Sequence, residues 1–142
     1  MSTIITKRNF NVSVATLYKA WAQPEHLKNW WGPNGFTNTF HEFDPRPGGA
    51  WRFTMHAADG KNYENESFFE TVKENERIVF THKSKPEYRA EINFLAIGSD
   101  GSSLIWKMVF ATEKAYKALK DLVLEKNEEN LNRLETELEK MK

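Results

Sequence analysis

The feature that most constrains the fold is an apolar stripe of helical spacing within about the last thirty residues. It consists of Tyr116, Leu119, Val123, Leu131, Leu134, Leu138 and Met141. The polar residues between these positions predict a long helix with one apolar face. Such a helix gains little stability in water by itself, so the stripe must pack against an apolar surface formed by the rest of the chain.

That surface is predicted between residues 36 and 110, where apolar and polar residues alternate as they do in half-buried strands. Short turns separate the strands, and Asp59-Gly60 is typical of a hairpin turn. The alternation places these residues on one inner face: Trp51, Phe53, Met55, Ile78, Phe80, His82, Tyr88, Ala90, Ile92, Phe94, Leu104, Trp106, Met108 and Phe110. The pattern predicts an antiparallel sheet whose concave apolar face receives the C-terminal helix.

The segment FTNTFHEF, residues 36–43, has aromatic residues on both sides of a simple alternation. That alternation predicts that Phe40 and Phe43 point to opposite faces of the sheet. It makes the same prediction for His41 and Glu42, which therefore could not act together as ligands.

A second irregular strand contains Phe68-Phe69, where two adjacent apolar residues break the alternation and indicate a bulge. Carboxylates on the strands are expected on the solvated face. Glu66 and Glu70 would turn inward only if the bulge shifted the phase of the strand.

Before the sheet, the chain is predicted to form one strand and two short helices. Residues 3–10 read as the strand, and Ser13 is the expected N-cap of the first helix. The second helix begins at Pro24 and ends at Gly32-Pro33. The order of strand, two short helices, antiparallel strands and long helix predicts an α+β fold in which a curved sheet grips the final helix.

Two adjacent tryptophans close the second short helix. Leu27, Trp30 and Trp31 have the spacing i, i+3 and i+4, so all three can face the interior. Trp30 and Trp31 are about 100° apart around the helix axis and must contact different neighbours. We expect Trp30 to be core and Trp31 to lie near the mouth of a cavity, just before the Gly32-Pro33 turn.

Composition limits the classes of function that the chain can have. The 142 residues suit one domain spanning residues 1–142, and 20 basic residues balance 20 acidic ones. The electrostatic footprint of a nucleic-acid binder is therefore not visible. No apolar run approaches the roughly 20 residues that span a bilayer, and the N-terminus lacks the apolar stretch of a signal peptide. We expect a cytoplasmic protein that neither binds nucleic acid nor inserts into a membrane.

Motifs for metal binding and catalysis are weak. Cysteine is absent, which excludes disulfides, thiolate catalysis and zinc–cysteine sites. The four histidines are scattered over different elements, without an HExxH pattern: His26, His41, His56 and His82. No Gly-x-Ser-x-Gly elbow occurs, and Gly48-Gly49 lacks the Lys-Ser/Thr of a phosphate loop. We expect no metal, no cofactor and no catalytic residue.

Five segments carry a resemblance to a known family: AWAQPEHLKNWWGPNGF, FDPRPGGAWRFTM, DGKNY, ERIVFTH and NLNRLETEL. The chain resembles the helix-grip superfamily of START-like and birch-pollen-allergen-like proteins, SRPBCC. Within it, the chain is similar to the family named after the C-terminal domain of the activator of heat-shock protein 90 ATPase. The resemblance implies a helix-grip fold with six or seven strands and a hydrophobic cavity between the sheet and the C-terminal helix.

The aromatic residues provide candidate walls for such a cavity, because rigid rings with a few placed polar groups are typical of small-molecule sites. The apolar candidates are Trp31, Phe36, Trp51, Phe53, Met55, Trp106 and Met108, and the polar candidates are His82 and Asn127. They favour a protein that binds a small apolar or amphipathic molecule without catalysis. The alternatives are a cyclase- or hydrolase-like enzyme of the same superfamily and a chaperone-interaction module, as the family name suggests.

Two amides interrupt the apolar stripe of the final helix. Asn127 falls about 20° from the centre of the stripe and Asn130 about 40° to the other side. The resemblance implies a Trp where this chain has Asn127, which changes how a cavity would be filled. These amides would be locally exposed, hydrogen-bonded to each other or to the sheet, or directed at a cavity or ligand, and we favour the last alternative.

Overall fold

A computed structural model describes residues 2–142. The seven strands are β1 (Thr3–Phe10), β2 (Thr37–Phe43), β3 (Ala50–His56), β4 (Asn62–Lys73), β5 (Arg77–His82), β6 (Tyr88–Ile97) and β7 (Gly101–Phe110). The three helices are α1 (Val14–Ala22), α2 (Pro24–Trp30) and α3 (Glu113–Lys140). Each element falls where the sequence pattern predicted it.

All seven strands form one antiparallel sheet in the order β1-β7-β6-β5-β4-β3-β2. Every neighbouring pair except β1–β7 consists of strands that are consecutive in the chain, so short turns suffice to connect them. Strand β1 returns beside the last strand. With two short helices after β1 and a long helix after β7, the predicted α+β helix-grip fold is confirmed.

The short helices have the predicted local signals. The Ser13 hydroxyl accepts a hydrogen bond from the Thr16 backbone N–H at 3.2 Å, as an N-cap does. Pro24 occupies the start of α2, where its missing N–H costs nothing. Helix α2 ends at Trp30, because Trp31 has an extended backbone while its N–H still bonds to the Leu27 carbonyl.

Helix α3 divides into two halves that differ in burial. Its buried side chains all lie in the second half: Asn127, Asn130, Leu131, Leu134, Glu137 and Leu138. In the first half, Tyr116, Leu119 and Val123 are only partly covered. The predicted stripe is therefore a single face of the helix. Its residues are fully buried only in the segment that begins at Asn127.

A bulge in β2 corrects the predicted faces of that strand. The pairing with β3 skips between Phe40 and Glu42, so His41 is the extra residue. The bulge brings Phe40 and Phe43 to the same inner face, with ring centroids 5.7 Å apart. The predicted opposite orientation of His41 and Glu42 is also wrong, because both contact residues of the outer face, at Thr54 and Arg52 respectively.

The bulge predicted in β4 is present but is displaced from Phe68-Phe69. The pairing with β5 skips between Phe69 and Thr71, which makes Glu70 the extra residue. The part of β4 before the bulge keeps the regular alternation of its side chains. Glu66 therefore lies on the outer face of the sheet, where its carboxylate pairs with Arg52 at 2.7 Å. Glu70 is also outside, 3.0 Å from Arg89. Neither carboxylate reaches the interior.

Two side chains of α3 bond to the connection between α2 and β2. Glu129 accepts a hydrogen bond from the Asn34 backbone N–H at 3.0 Å, and Arg133 makes the larger set of contacts. The two terminal nitrogens of Arg133 lie 2.8–3.3 Å from five backbone carbonyl oxygens, those of Asn29, Trp31, Gly32, Pro33 and Phe36. These nitrogens carry four N–H groups, so one N–H is shared between two carbonyls. A guanidinium carries five N–H groups in a rigid plane, which suits a turn of converging carbonyls. Arg133 therefore fixes the backbone of this connection to α3.

Gly32 allows the same connection to pack closely. Its φ is +99°, a conformation that favours glycine, and a Cβ there would lie 2.6 Å from the Met55 methyl carbon. The connection can therefore lie directly on β3 while Arg133 holds it from the other side.

We expect Arg133→Lys to lower the free energy of unfolding by about 1–3 kcal/mol, because an ammonium group cannot satisfy carbonyls spread over this turn. Urea denaturation measures the change. Arg8→Lys is the matched control, since Arg8 bonds to Glu128 and Glu135, whose side chains are 56% and 54% exposed. The control should cost under about 1 kcal/mol. Similar losses in the two variants would contradict the assigned role of Arg133.

Candidate functional site

A pocket of about 160 Å³ lies between the middle of α3 and the inner face of the sheet. Its apolar wall consists of Trp31 from the end of α2, Phe53 and Met55 from β3, and Trp106 and Met108 from β7. Strand alternation directs the β3 and β7 residues inward, as predicted. Rings with two thioethers form a surface that accommodates apolar groups of variable shape.

Trp31 occupies the centre of an aromatic cluster. Its ring centroid is 5.1 Å from that of Trp51, 5.7 Å from that of Trp21 and 5.8 Å from that of Trp106. Trp31 is 5% exposed and Trp30 is fully buried, with its indole N–H donating to the Ala20 carbonyl at 3.0 Å. Both tryptophans are therefore buried, but only Trp31 lines the pocket, and its place near the cavity mouth stays a prediction.

Helix α3 contributes the polar side of the pocket through Lys126, Asn127 and Asn130. The Asn127 amide nitrogen donates to the Thr6 hydroxyl at 3.2 Å and lies 3.5 Å from the Met108 sulfur. Asn127 thus bonds to the sheet and also lines the pocket, which combines two of the predicted alternatives. Lys126, on the rim, lies 3.4 Å from Glu129 on the same helix.

His82 forms a second polar group, on β5. One ring nitrogen lies 3.1 Å from the Pro86 carbonyl and the other 2.7 Å from the Asn65 side-chain oxygen. The Asn65 amide nitrogen donates to the Tyr63 carbonyl, which fixes its oxygen toward the histidine. The imidazole also stacks on Tyr88 at 4.7 Å. His82 is therefore held between two oxygen acceptors, and the neutral ring, which has a single N–H, donates to one of them.

Burial is the main cause of the pKa shifts of His82 and Tyr88. Removal from water lowers the pKa of His82, although hydrogen bonds to nearby carbonyls oppose the effect. Burial also raises the pKa of the Tyr88 hydroxyl. Both shifts favour neutral side chains, so His82 and Tyr88 add no charge to the wall at neutral pH.

All predicted site residues lie on the wall of this pocket except Phe36 and Trp51. Phe36 borders an adjoining surface depression together with Met55 and Tyr63. Trp51 is 1% exposed and stacks against Phe53 at 4.6 Å, so it supports the wall from behind.

The sequence-based list lacked several wall residues: Gly32, Pro33, Asn65, Tyr88, Lys126 and Asn130. Alternation had placed Tyr88 on the inner face, and its proximity to His82 was the available signal. Asn65 has the same parity as the buried Ser67 and Phe69, but the aromatic pair in that strand obscured it. Asn130 was recognised on the buried face without being assigned to the site.

The described part of the chain meets neither the requirements of a metal site nor those of a membrane-spanning helix. Within residues 2–142, no three His, Asp or Glu side chains come together as metal ligands would. None of the helices over the same residues is long and apolar enough to cross a membrane.

Comparisons with known proteins place the chain in a family. A family model for Activator of Hsp90 ATPase homolog 1-like protein matches residues 11–139. The chain belongs to this family. A search of curated proteins found no match.

Solved structures similar to this chain share its fold over almost the whole length. A protein from Nitrosomonas europaea is 21% identical, with 99% of this chain and 96% of that one covered and a TM-score of 0.88. A protein from Arthrobacter aurescens is 17% identical over 97% and 86% of the two chains, with a TM-score of 0.90. The AHSA1 protein from Silicibacter pomeroyi is 18% identical over 99% of each chain, with a TM-score of 0.80. At these identities the likeness establishes the fold alone.

The environment of His82 predicts a pH dependence of stability. Because the folded-state pKa lies below the unfolded value of about 6.5, the unfolded chain binds the proton first as the pH falls. The contribution of neutral His82 is therefore complete above about pH 6.5 and is lost as the pH falls toward the folded-state pKa. We expect the unfolding free energy, measured in urea from pH 7.5 to 5.5, to fall more in the wild type than in His82→Gln. Parallel curves for the two proteins would contradict the assignment.

Proposed function

We propose that this protein binds a small, largely apolar molecule in the pocket between α3 and the sheet. The observation that carries the proposal is the composition of the wall. Trp31, Phe53, Met55, Trp106 and Met108 surround the space, and only a few polar groups accompany them. A mostly apolar concavity with a few placed polar groups is the usual form of a ligand site.

Family membership supports a ligand-binding or Hsp90-ATPase-activator-like module in general. The pocket favours ligand binding, because it is a concave surface already formed by side chains from α2, α3 and the sheet. Catalysis is less well supported. The residues that line the pocket include no carboxylate, and both nitrogens of His82 lie within 3.1 Å of protein oxygens, those of Pro86 and Asn65.

The site residues have different proposed roles. Trp31, Phe53 and Trp106 provide flat surfaces for a ring, and Met55 and Met108 adapt to its edge. His82 and Asn127 orient polar groups of the ligand. Two further residues act less directly: Trp51 supports Phe53, and Phe36 contacts only a ligand that extends past Met55.

The methionine methyl groups allow a direct test, because Met55 and Met108 line the pocket whereas Met141 does not. We expect toluene, titrated into protein with ¹³C-labelled methionine methyls, to shift the NMR signals of Met55 and Met108 in a saturable manner. The Met141 signal should stay in place and serves as the internal control.

A variant that fills the pocket separates specific binding from general association. Met55→Trp places a larger ring in the space and should abolish the saturable shift at Met108. Met141→Trp is the matched control and should leave that shift intact. If toluene moves no methyl signal, or moves all of them linearly, the proposed function is wrong.

A further inference from the structure

The Asn127 side-chain amide on α3 is only half engaged by the protein. Its nitrogen donates to the Thr6 hydroxyl at 3.2 Å and lies 3.5 Å from the Met108 sulfur. A thioether sulfur can only accept a hydrogen bond, so the atom of the amide that faces it must be the nitrogen, which donates. The contacts with β1 and β7 therefore fix the orientation of the amide. Within residues 2–142, its oxygen accepts no hydrogen bond.

This oxygen is open to the pocket. Asn127 is 6% exposed and lines the pocket from the inner face of α3. Two other atoms of wall residues have no partner within residues 2–142, the Asn130 oxygen and the Trp106 indole nitrogen, but they have almost no accessible surface. The Asn127 oxygen is not enclosed in this way and keeps accessible surface. Because the sheet covers this face of the helix, the space that the oxygen reaches is the pocket.

Other polar groups of the wall do not select for a ligand that donates. Lys126 carries only donors, and the Tyr88 hydroxyl can donate as well as accept. The Asn65 oxygen already lies 2.7 Å from a ring nitrogen of His82. The Asn127 oxygen can only accept, and it has room for a donor on its pocket side.

An unpaired acceptor in a largely apolar surrounding determines which molecules bind well. A molecule that supplies a hydrogen to it gains a bond that is shielded from bulk water. A molecule without a donor leaves the oxygen unpaired and also removes any water that bonded to it. Sites of this kind discriminate strongly for ligands that complete the hydrogen bond.

The size of the pocket limits what can carry that donor. A volume of about 160 Å³ is below the roughly 300–1,000 Å³ of pockets for drug-sized ligands. An engineered protein cavity of about 150 Å³ holds one benzene molecule. The space therefore accommodates one aromatic ring with a small substituent.

We propose that the ligand is a single-ring aromatic molecule whose hydroxyl or amino hydrogen donates to the Asn127 side-chain oxygen. This inference rests on the proposed function, because it names the class of molecule that the pocket binds. The ring lies against Trp31, Phe53 and Trp106, and the donor points at α3 beside Met108.

Phenol, toluene and anisole test the inference, because only phenol carries a hydrogen that it can donate. Phenol and toluene have almost the same shape, and anisole keeps the oxygen of phenol without its hydrogen. Each is titrated into protein with ¹³C-labelled methionine methyls, and the shift of the Met108 signal gives the dissociation constant for the pocket. We expect phenol to bind the wild type at least about ten-fold more tightly than anisole.

Two leucine variants assign the preference to a residue. In Asn127→Leu, the ratio of the phenol to the toluene dissociation constant should rise at least about ten-fold, while the ratio of anisole to toluene should stay within about three-fold. Toluene binding in the same variant shows that the pocket is still formed. Asn132→Leu is the matched control, because this asparagine of α3 bonds to Arg8 outside the pocket. It should leave both ratios unchanged.

The outcomes separate this inference from the function on which it rests. If toluene binds in the pocket but phenol binds the wild type no more tightly than anisole, the role of Asn127 is wrong and the proposed function stands. If Asn127→Leu keeps the preference for phenol, another group recognises the donor and the inference is also wrong. If none of the three molecules shifts the Met108 signal of the wild type, both the inference and the proposed function are overturned.

Discussion

The bonds from Arg133 to the carbonyls between α2 and β2 determine how the rest of the molecule is arranged. This connection contains Trp31 and Gly32, which form one wall of the pocket. Four of the five carbonyls lie outside any helix or strand, the fifth belongs to Asn29 in the last turn of α2, and all of them need donors. A guanidinium satisfies them together and ties the connection to α3, even though burial lowers the pKa of the Arg133 side chain. The Asn38 amide, which donates to the Trp31 carbonyl at 2.8 Å, and Glu129, which accepts from the Asn34 N–H at 3.0 Å, hold the same connection.

Other polar contacts hold the same half of α3. The buried Glu137 carboxylate lies 2.9 Å from a ring nitrogen of His26 and accepts a hydrogen bond from the Asn29 amide at 3.2 Å. On the other side of the helix, Arg8 of β1 bonds to exposed carboxylates. The second half of α3 is thus anchored to α2 and β1, and Asn127 and Asn130 begin this anchored segment. The pocket therefore has a rigid polar side, which suits recognition of a placed polar group.

The strand faces could be predicted from the sequence because alternation is a local property, and Phe53, Trp106 and Met108 lie where it placed them. The face of His41 was predicted wrongly, because one extra residue reverses the phase of β2 and simple alternation does not reveal where that residue lies. The function of Arg133 was also beyond prediction, since its partners are about one hundred residues away and are backbone atoms. For Asn130, periodicity predicted burial, but only the structure reveals that its oxygen lacks a partner.

The central claim is that the space between α3 and the inner face of the sheet is a binding site with a largely apolar wall. A crystal structure of the protein grown with toluene tests it most directly. We expect one ring against Trp31 and Trp106, in contact with the Met55 and Met108 side chains. A pocket filled by collapsed side chains, or toluene bound only elsewhere on the protein, would contradict it.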